Sequence, residues 1–150
     1  MAHANLQLEL LTPTGTALPL REGESQPRVS VEVTSVEAPG LLGRVGVLPD
    51  HVPFITPVKP GVVRFRDGVI ERQIAVGAGF LEVTADGRVV VLTERAVDGS
   101  KVNKADVTAA LKHCEARLGK EYGPIDAVDH AKLVDERGWL EAQLQAAAAG

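Results

Sequence analysis

Histidine and cysteine side chains could supply acid–base, nucleophilic or metal chemistry, but in this sequence they are few and dispersed. The chain contains His3, His51, His113, His130 and a single cysteine, Cys114. Catalytic assemblies and metal sites need several such groups that converge on one point. Asp50-His51 has no serine or second ligand near it in the sequence, and the adjacent His113 and Cys114 project to different faces of a helix. We therefore expect no catalytic residue and no metal site.

Glycine-rich turns can bind phosphate, and Gly77-Ala78-Gly79 is a stretch that invites this interpretation. It lacks the full glycine pattern of a phosphate-binding loop, and a strand-like segment follows it where a helix would be needed. We interpret it as a tight bend between two strands. The sequence predicts no bound cofactor.

Composition narrows the classes of protein that fit. The 150 residues are 45% hydrophobic but only 3% aromatic, so one core would be built from Val, Leu, Ala and Ile. A net charge of −4 and a pI of about 5.6 argue against a nucleic-acid partner. No run approaches the ~20 apolar residues of a membrane helix, the N-terminus lacks a signal-peptide pattern, and one cysteine cannot form an internal disulfide. We expect a cytoplasmic protein without direct membrane insertion.

Residues 43–61, with the sequence GRVGVLPDHVPFITPVKPG, organise the rest of the chain. Four prolines remove backbone N–H groups at close intervals, which excludes a helix or a central strand through the whole stretch. The pattern predicts a short strand, a corner at Asp50-His51, a second short strand over Phe54-Ile55 and a turn at Pro60-Gly61. A segment this rigid would fix how two sheets meet.

The first 95 residues are typical of strands separated by turns. Residues 6–10 and 29–34 alternate between apolar and polar side chains, as half-buried strands do. Asp67-Gly68 and Asp86-Gly87 each separate two strand-like runs, which is a strong hairpin signal. The polar residues 21–27 predict an exposed loop. About nine or ten short strands with turns every ~8 to 12 residues predict a β-sandwich.

The periodicity becomes helical after residues 94–100, and Asn103 is the predicted N-cap of a first helix. Its apolar stripe is Val107, Ala110, Leu111, Cys114 and Leu118. Tyr122-Gly123-Pro124 ends this helix, and a second one over residues 126–145 carries a stripe of small residues. That stripe is Ala127, Ala131, Val134, Gly138 and Ala142, flanked by Leu133, Leu140 and Leu144. Small residues allow close approach, so an antiparallel α-helical hairpin is predicted. Gly138 indicates a packing reason or a weak point in the helix, and Trp139 is expected to be an anchor against the sandwich or the other helix.

The sequence thus predicts two domains, an N-terminal β-sandwich over residues 1–97 and a C-terminal helical hairpin over residues 98–150. Residues 101–120 carry five basic and two acidic side chains, whereas residues 121–150 carry six acidic and two basic ones. Antiparallel pairing would bring these opposite charges together at ~0 to 1 kcal/mol per exposed pair. This favours the closed hairpin slightly.

Residues 43–61 resemble a segment of the ATP synthase epsilon subunit that commonly reads G-x-φ-G-φ-L-P-G-H-A-P-φ-φ-x-x-φ-K-P-G, where φ is apolar. The matching residues are Gly43, Gly46, Leu48, Pro49, His51, Pro53, Lys59, Pro60 and Gly61. Residues 77–83 resemble the family's G-G-φ-φ-E-V strand entry. The order of sandwich and helical hairpin is also similar, so the resemblance covers nearly the whole chain.

This resemblance implies a non-catalytic central-stalk (rotor) subunit of a bacterial-type, proton-translocating F-type ATP synthase, which couples proton flow to ATP synthesis. The sandwich would bind the rotating gamma subunit and rest on the membrane c-ring. The helical hairpin would fold against the sandwich, or extend towards the alpha and beta catalytic subunits and inhibit ATP hydrolysis. The expected location is peripheral, at the cytoplasmic face of the bacterial inner membrane.

The resemblance also gives a partner surface on the central corner. Its candidate residues are Arg44, Val47, Leu48, Pro49, His51 and Phe54. Strand alternation sends some of these side chains into the core. Arg44 stands where many relatives have glutamate, which alters or inverts any charge contact with the membrane ring. Asp50 replaces the usual glycine before His51, and residues 21–28 resemble an insertion.

Some family members bind ATP through a motif that resembles [I/L]-D-x-x-R-A at the start of the first helix. The corresponding residues 102–107 read VNKADV, so Asn103 replaces the aspartate and Asp106 replaces the arginine. A guanidinium holds phosphate oxygens with several charged donors, whereas Asp106 would repel the same anion. ATP binding is therefore not expected.

A protein of another class is the alternative hypothesis. It is a stand-alone β-sandwich that binds a small ligand, or a metal-dependent enzyme, centred on His51. Such a site needs ligands that converge from several strands, and the predicted sheet offers one histidine. Stoichiometric, tightly bound metal in the purified protein would favour this alternative.

Overall fold

The protein folds as a strand-rich N-terminal unit followed by two helices, and the computed structural model describes residues 5–120 and 123–148. The strands are β1 (Leu6–Thr12), β2 (Gly15–Thr16), β3 (Val31–Val33), β4 (Val36–Gly40), β5 (Gly43–Val47), β6 (Phe54–Val58), β7 (Gly61–Asp67), β8 (Ile70–Val76), β9 (Gly79–Val83), β10 (Arg88–Thr93) and β11 (Ala96–Asp98). A 3₁₀ turn, Gly99–Lys101, leads to α1 (Lys104–Leu118) and α2 (Ala127–Ala148). A β-sandwich followed by a helical hairpin is therefore confirmed.

Hydrogen bonds connect the strands in the order β11-β8-β7-β4-β6-β9-β10-β1-β2, with β3 on β1 and β5 on β4. The β1–β10 pair is parallel, and the other pairs in this path are antiparallel. One core takes side chains from strands at both ends of the path, among them Leu8, Val83, Phe65 and Ile74. The sheet therefore wraps around a shared core, as the alternation over residues 6–10 predicts.

The Asp-Gly hairpin signal is correct in position but wrong in detail at Asp67-Gly68. Asp67 is the last residue of β7 and pairs with Ile70, so the two turn residues are Gly68 and Val69. Gly68 has a φ of 67°, which favours glycine. Asp67 stays in the strand because its side chain, 0% exposed, is held by arginines.

Residues 21–27 are exposed, as predicted, but ion pairs fasten the base of this loop to β7 and β8. Asp67 lies 2.7 Å from both Arg21 and Arg28 and 3.4 Å from Arg72. Arg28 and Arg72 also donate to the carbonyls of residues 19 and 20. Burial alone would raise the pKa of Asp67, but hydrogen bonds from Arg28 and Arg21 lower that pKa to about 2.

Two strand boundaries differ from the sequence-based expectation. Residues 94–100, where the sequence pattern changes from strand to helix and no separate strand was predicted, contain β11, which pairs with β8. Strand β6 continues through Pro57. The carbonyl of Pro57 accepts from the N–H of Leu41, on the side of the strand away from β9. The nitrogen of Pro57 lies on that same side, so its missing N–H removes no hydrogen bond to β9. The only β4 partner of β6 is Gly40, which pairs with Val58.

The two helices form their own core. Asn103 caps α1 as predicted, because its Oδ1 accepts from the backbone N–H of Asp106 at 3.1 Å. The contacts between α1 and α2 are made by larger side chains, namely Val107, Leu111, Cys114, Leu118, Leu133, Leu140 and Leu144. The predicted role of the small-residue stripe in helix pairing is wrong, since Ala127 and Ala131 are exposed and Ala142 packs elsewhere. Leucines bury more apolar area, so they occupy this contact. Ala110 is also exposed.

The C-terminal half of α2 packs on the sandwich. Trp139, Ala142 and Ala146 form a cluster with Val62 of β7 and Ala75 of β8. Trp139 is 7% exposed, so its predicted role as an anchor is confirmed, and of the two expected partners it packs on the sandwich. Gly138 has the packing reason expected of it, because a Cβ there would lie 3.3 Å from Cβ of Pro60. The structure is therefore the closed arrangement of the hairpin.

The expected charge pairing between the helices does not occur in the described part of the chain. Within residues 104–118 and 127–148, no lysine or arginine of one helix pairs with a carboxylate of the other. Carboxylates of α2 pair instead with Arg137 of the same helix, as Glu141 does, or with Arg95 of the sandwich, as Glu136 does. Tyr122, part of the predicted stop between the helices, lies outside the described residues. No described helix is long and apolar enough to cross a membrane.

Candidate partner-binding surface

The central corner is a tight turn over residues 48–51. The N–H of His51 donates to the carbonyl of Leu48 at 3.2 Å, and Asp50 has a φ of 65°. Proline in the second position and a positive φ in the third are the pattern of a type II turn, which usually has glycine at the third position. Aspartate is among the residues that tolerate this conformation, so the corner keeps its shape without the glycine.

His51 packs at this corner rather than joining a group of metal ligands. Its Nδ1 is 3.0 Å from the carbonyl of Val52, and its ring centroid is 5.0 Å from that of Phe54. Phe54 packs in turn against the main core. Among residues 5–120 and 123–148, no three His, Cys, Asp or Glu side chains are placed to hold a metal ion. The geometry offers no support for the alternative centred on His51.

The structure separates the predicted surface residues into two groups. Leu48 and His51 are exposed, and Pro49 and Phe54 are half-buried beside them. Val47 is 0% exposed and belongs to the core, so it supports the corner from inside and cannot contact a partner.

Arg44 lies on the edge strand β5 and is partly held within the protein. Its guanidinium donates to the carbonyl of Val62 at 3.0 Å and lies 3.6 Å from Glu37. Arg64 approaches the same Glu37 carboxylate at 3.7 Å. Burial, and then the charge of Arg64, lower the pKa of Arg44. Two guanidinium groups thus share one carboxylate at the surface.

An apolar face, not predicted from the sequence, covers the outside of β6, β9 and β10. Two rows of paired residues cross these strands: Ile55, Glu82 and Val90 in one, and Pro57, Phe80 and Leu92 in the other. Their neighbours along each strand, such as Leu81 and Val91, point into the core. We call Ile55, Pro57, Phe80, Val90 and Leu92 the apolar face.

The apolar face is exposed although its residues are large. Ile55 is 65% exposed, Phe80 56% and Leu92 51%. With Glu82 and Val90 they line a shallow depression of about 310 Å³. Exposed apolar side chains gathered in this way are typical of surfaces that bind a partner, and Glu82 is the charged side chain among them.

The apolar face had a signal in the sequence. Residues 89–92 read VVVL, and Phe80-Leu81 are both apolar, so each strand presents apolar side chains to both faces. An antiparallel strand with one solvated face would alternate with polar residues instead. Strand β6 joins this face to the corner, because Phe54 packs inward beside His51 while Ile55 points outward.

Buried groups elsewhere have structural contacts. Cys114 is buried in the helical core, its Sγ donates to the carbonyl of Leu133 at 3.2 Å, and burial raises its pKa, which disfavours the reactive thiolate. Gly77 lies between β8 and β9, and Gly79 is the first residue of β9, as the bend interpretation predicts. A Cβ at Gly79 would lie 1.8 Å from the carbonyl oxygen of Leu92, so glycine is required by close packing and not by a phosphate.

Comparison with known proteins gives the family. The family described as ATP synthase, Delta/Epsilon chain, beta-sandwich domain matches residues 24–99. The chain is 38% identical over 125 residues to ATP synthase epsilon chain 2 of Syntrophotalea carbinolica, a match covering 83% of this chain and 81% of that one. It is 36% identical over 116 residues to the ATP synthase epsilon chain of Moorella thermoacetica, with 77% and 78% covered.

Two solved structures share the fold. A chain of the Euglena gracilis mitochondrial ATP synthase, in an OSCP/F1/c-ring structure, matches with a TM-score of 0.76 at 21% identity, over 99% of this chain and 84% of that one. A chain of the Tetrahymena thermophila mitochondrial ATP synthase central stalk and c-ring matches with a TM-score of 0.61 at 12% identity, over 95% and 96%. Together with the sequence matches, these findings show that the chain belongs to the ATP synthase epsilon chain family.

Proposed function

We propose that this protein is the central-stalk subunit that couples proton flow to ATP synthesis in an F-type ATP synthase. As a member of the epsilon family it is a non-catalytic subunit of that complex. The observation that carries the proposal is the apolar face on β6, β9 and β10, since a protein that works by transmitting force needs a tightly bound partner. The solved relatives come from F1, central-stalk and c-ring assemblies, which supports the same role.

The gamma subunit is the proposed partner of the apolar face and the adjoining corner. Ile55, Phe80 and Leu92 would lose their remaining water contact on binding, while Leu48 and His51 extend the contact along the start of β6. Large side chains that become fully buried near the centre of an interface contribute most of its affinity. This assigns the dominant contribution to Phe80.

Binding of purified gamma subunit to Phe80→Glu tests this assignment. A charge buried against gamma without a partner should weaken binding by about 30-fold, which is about 2 kcal/mol. Val69→Glu is the matched control, because Val69 is 88% exposed in the β7–β8 turn, away from the apolar face. Equal affinity of Phe80→Glu and the control, with unchanged melting curves, would contradict the proposed contact.

The β4–β5 hairpin is the proposed contact with the c-ring. Leu41 and Leu42 form its tip, and both side chains project into solvent. Arg44 follows on β5 in place of the glutamate of many relatives, so a carboxylate on the ring would complement it. A photo-crosslinker on Leu42→Cys, selective because Cys114 is buried, should capture the c subunit in the assembled complex. Capture of lipid or of gamma alone would contradict this placement.

The helical hairpin is the proposed inhibitory part. Its α2 lies on the sandwich in this structure, and release would let it reach the alpha and beta subunits. ATP hydrolysis by the assembled complex should then rise when the full chain is replaced by a chain ending at Ser100, provided that this shorter chain gives a cooperative melt. Equal hydrolysis with both chains would contradict inhibition.

The location that follows from this function is peripheral to the membrane, at the cytoplasmic face of the bacterial inner membrane. The relatives in Syntrophotalea and Moorella support a bacterial setting. Fractionation of cells should recover the protein with membranes that carry the ATP synthase, and removal of F1 at low ionic strength should release it. Persistence on stripped membranes would contradict the proposed attachment.

A further inference from the structure

The helical hairpin and the sandwich have separate cores and meet along the C-terminal half of α2. The helical core draws on residues between 102 and 144, and the main sandwich core on residues between 6 and 96. The contact between them is the cluster of Val62, Ala75 and Val97 with α2 residues, which include Trp139 and Ala146. The hairpin could therefore leave the sandwich without opening either core.

Arg95 of the sandwich makes charged and cation–π contacts with α2. Its guanidinium lies 4.7 Å from the ring centroid of Trp139 and donates to Glu136 at 2.9 Å. Asp135 is 3.7 Å from the same nitrogen. A cation over an indole face and a charged hydrogen bond each add to the attraction, so one side chain holds two successive turns of α2.

Hydrogen bonds hold the backbone of Arg95 in the sandwich, so the side chain that contacts α2 starts from a fixed position. Its carbonyl accepts from the N–H of Gly77 at 2.9 Å and from Oγ1 of Thr93 at 3.0 Å. Its Nε is buried without a hydrogen-bond partner in the structure. Glu94 Oε1 of the sandwich lies 3.8 Å from this Nε, and Trp139 and Glu136 supply the contacts that the guanidinium makes with α2.

We propose that Arg95 is the latch residue that sets how readily the hairpin is released from the sandwich. The ion pairs between α2 and the sandwich in the described residues all involve Arg95. The apolar part of the contact uses small side chains, Ala75, Ala142 and Ala146, around Trp139. Loss of the guanidinium removes the ion pairs with Glu136 and Asp135 and the contact with the Trp139 ring. The apolar cluster around Trp139 then remains to connect α2 to the sandwich.

Hydrogen exchange of the full-length chain tests the latch. Arg95→Gln should lower protection of the amides in the last turn of α2, which packs on the sandwich and not on α1, about tenfold, equivalent to about 1.4 kcal/mol, while protection in β1 and β10 stays unchanged. Trp139 is the single tryptophan, so its quenching by acrylamide should increase in parallel. Unchanged α2 protection, or an equal loss in β1 and β10, would overturn the proposal.

Two further variants keep the test decisive. Arg88→Gln makes the same change at an arginine that pairs with Glu9 at 2.7 Å on the sandwich, so α2 protection should not change. Glu136→Gln keeps Arg95 and its contact with Trp139, and should lower α2 protection by less than Arg95→Gln does. Because both measurements use the isolated chain, they are independent of gamma binding. Loss of α2 protection in Arg88→Gln, or none in Glu136→Gln, would count against the latch.

Discussion

Replacing Asp67 with asparagine should destabilise the sandwich strongly. Asp67 is fully buried and is the shared partner of Arg21, Arg28 and Arg72. Asn keeps the size of the side chain but removes the charge. Arg28 and Arg72, whose side chains are 13% and 15% exposed, would then remain largely buried without their main counter-charge.

The magnitude follows from the pKa of Asp67. Lowering the pKa of Asp67 from 3.8 to about 2 corresponds to about 2 kcal/mol of stabilisation of the charged form. Because the folded-state pKa is depressed, this stability is present above pH ~4 and is lost as pH falls through about 2. Uncompensated arginines add to the cost, so Asp67→Asn should lose about 2 to 3 kcal/mol near pH 7.

Urea unfolding of the variant and the parent from pH 7 to pH 2 is the assay. The difference between them should be largest near neutral pH and should shrink as Asp67 of the parent becomes protonated. Glu71→Gln, at an exposed position of β8, is the matched control and should change stability by less than ~0.5 kcal/mol. A difference of that small size for Asp67→Asn, or one independent of pH, would refute the assigned role of the arginine cluster.

Four further predictions concern other parts of the chain. Asp50→Ala should cost about 1 kcal/mol more than Asp50→Gly, because a φ of 65° strains a Cβ without the tolerance of aspartate; urea melts in the reverse order would contradict the turn. His51→Ala should weaken gamma binding more than it lowers the melting temperature, since the exposed ring packs on Phe54; equal binding at equal stability would exclude this role. Residues 1–97 alone should melt cooperatively, because the main core lies within them, and insoluble protein would count against a separate domain. Mg-ATP should show no saturable one-to-one binding in calorimetry, since Asp106 places a carboxylate at the start of α1; a micromolar site would falsify this.

Local patterns in the sequence were sufficient for the parts of the fold that short-range rules decide. Prolines and the turn at Asp50 define the corner, strand alternation places Leu8 in the core, and Asn103 caps α1. The change from strand alternation to helical periodicity predicts the order of sandwich and hairpin, and the family resemblance implies a surface that includes Leu48 and His51. These features depend on residues that are near one another in the chain.

The features that the sequence did not predict depend on contacts between distant residues. Asp67 looked like a turn residue because its partner Arg28 lies 39 positions away. The faces of α2 were assigned wrongly because periodicity shows which residues share a stripe but not which neighbour covers it. Phe80 lies within residues 77–83, which resemble a family motif, but its place on the apolar face depends on the position of β9 between β6 and β10.

Proton pumping by the reconstituted ATP synthase tests the central claim most directly. Vesicles carrying the complex without this chain should hydrolyse ATP but pump few protons per ATP, because gamma would be poorly connected to the c-ring. Adding the full-length chain should restore pumping, and adding Phe80→Glu at the same concentration should restore less. If pumping is equal with and without the chain, the protein is not the coupling subunit of the stalk.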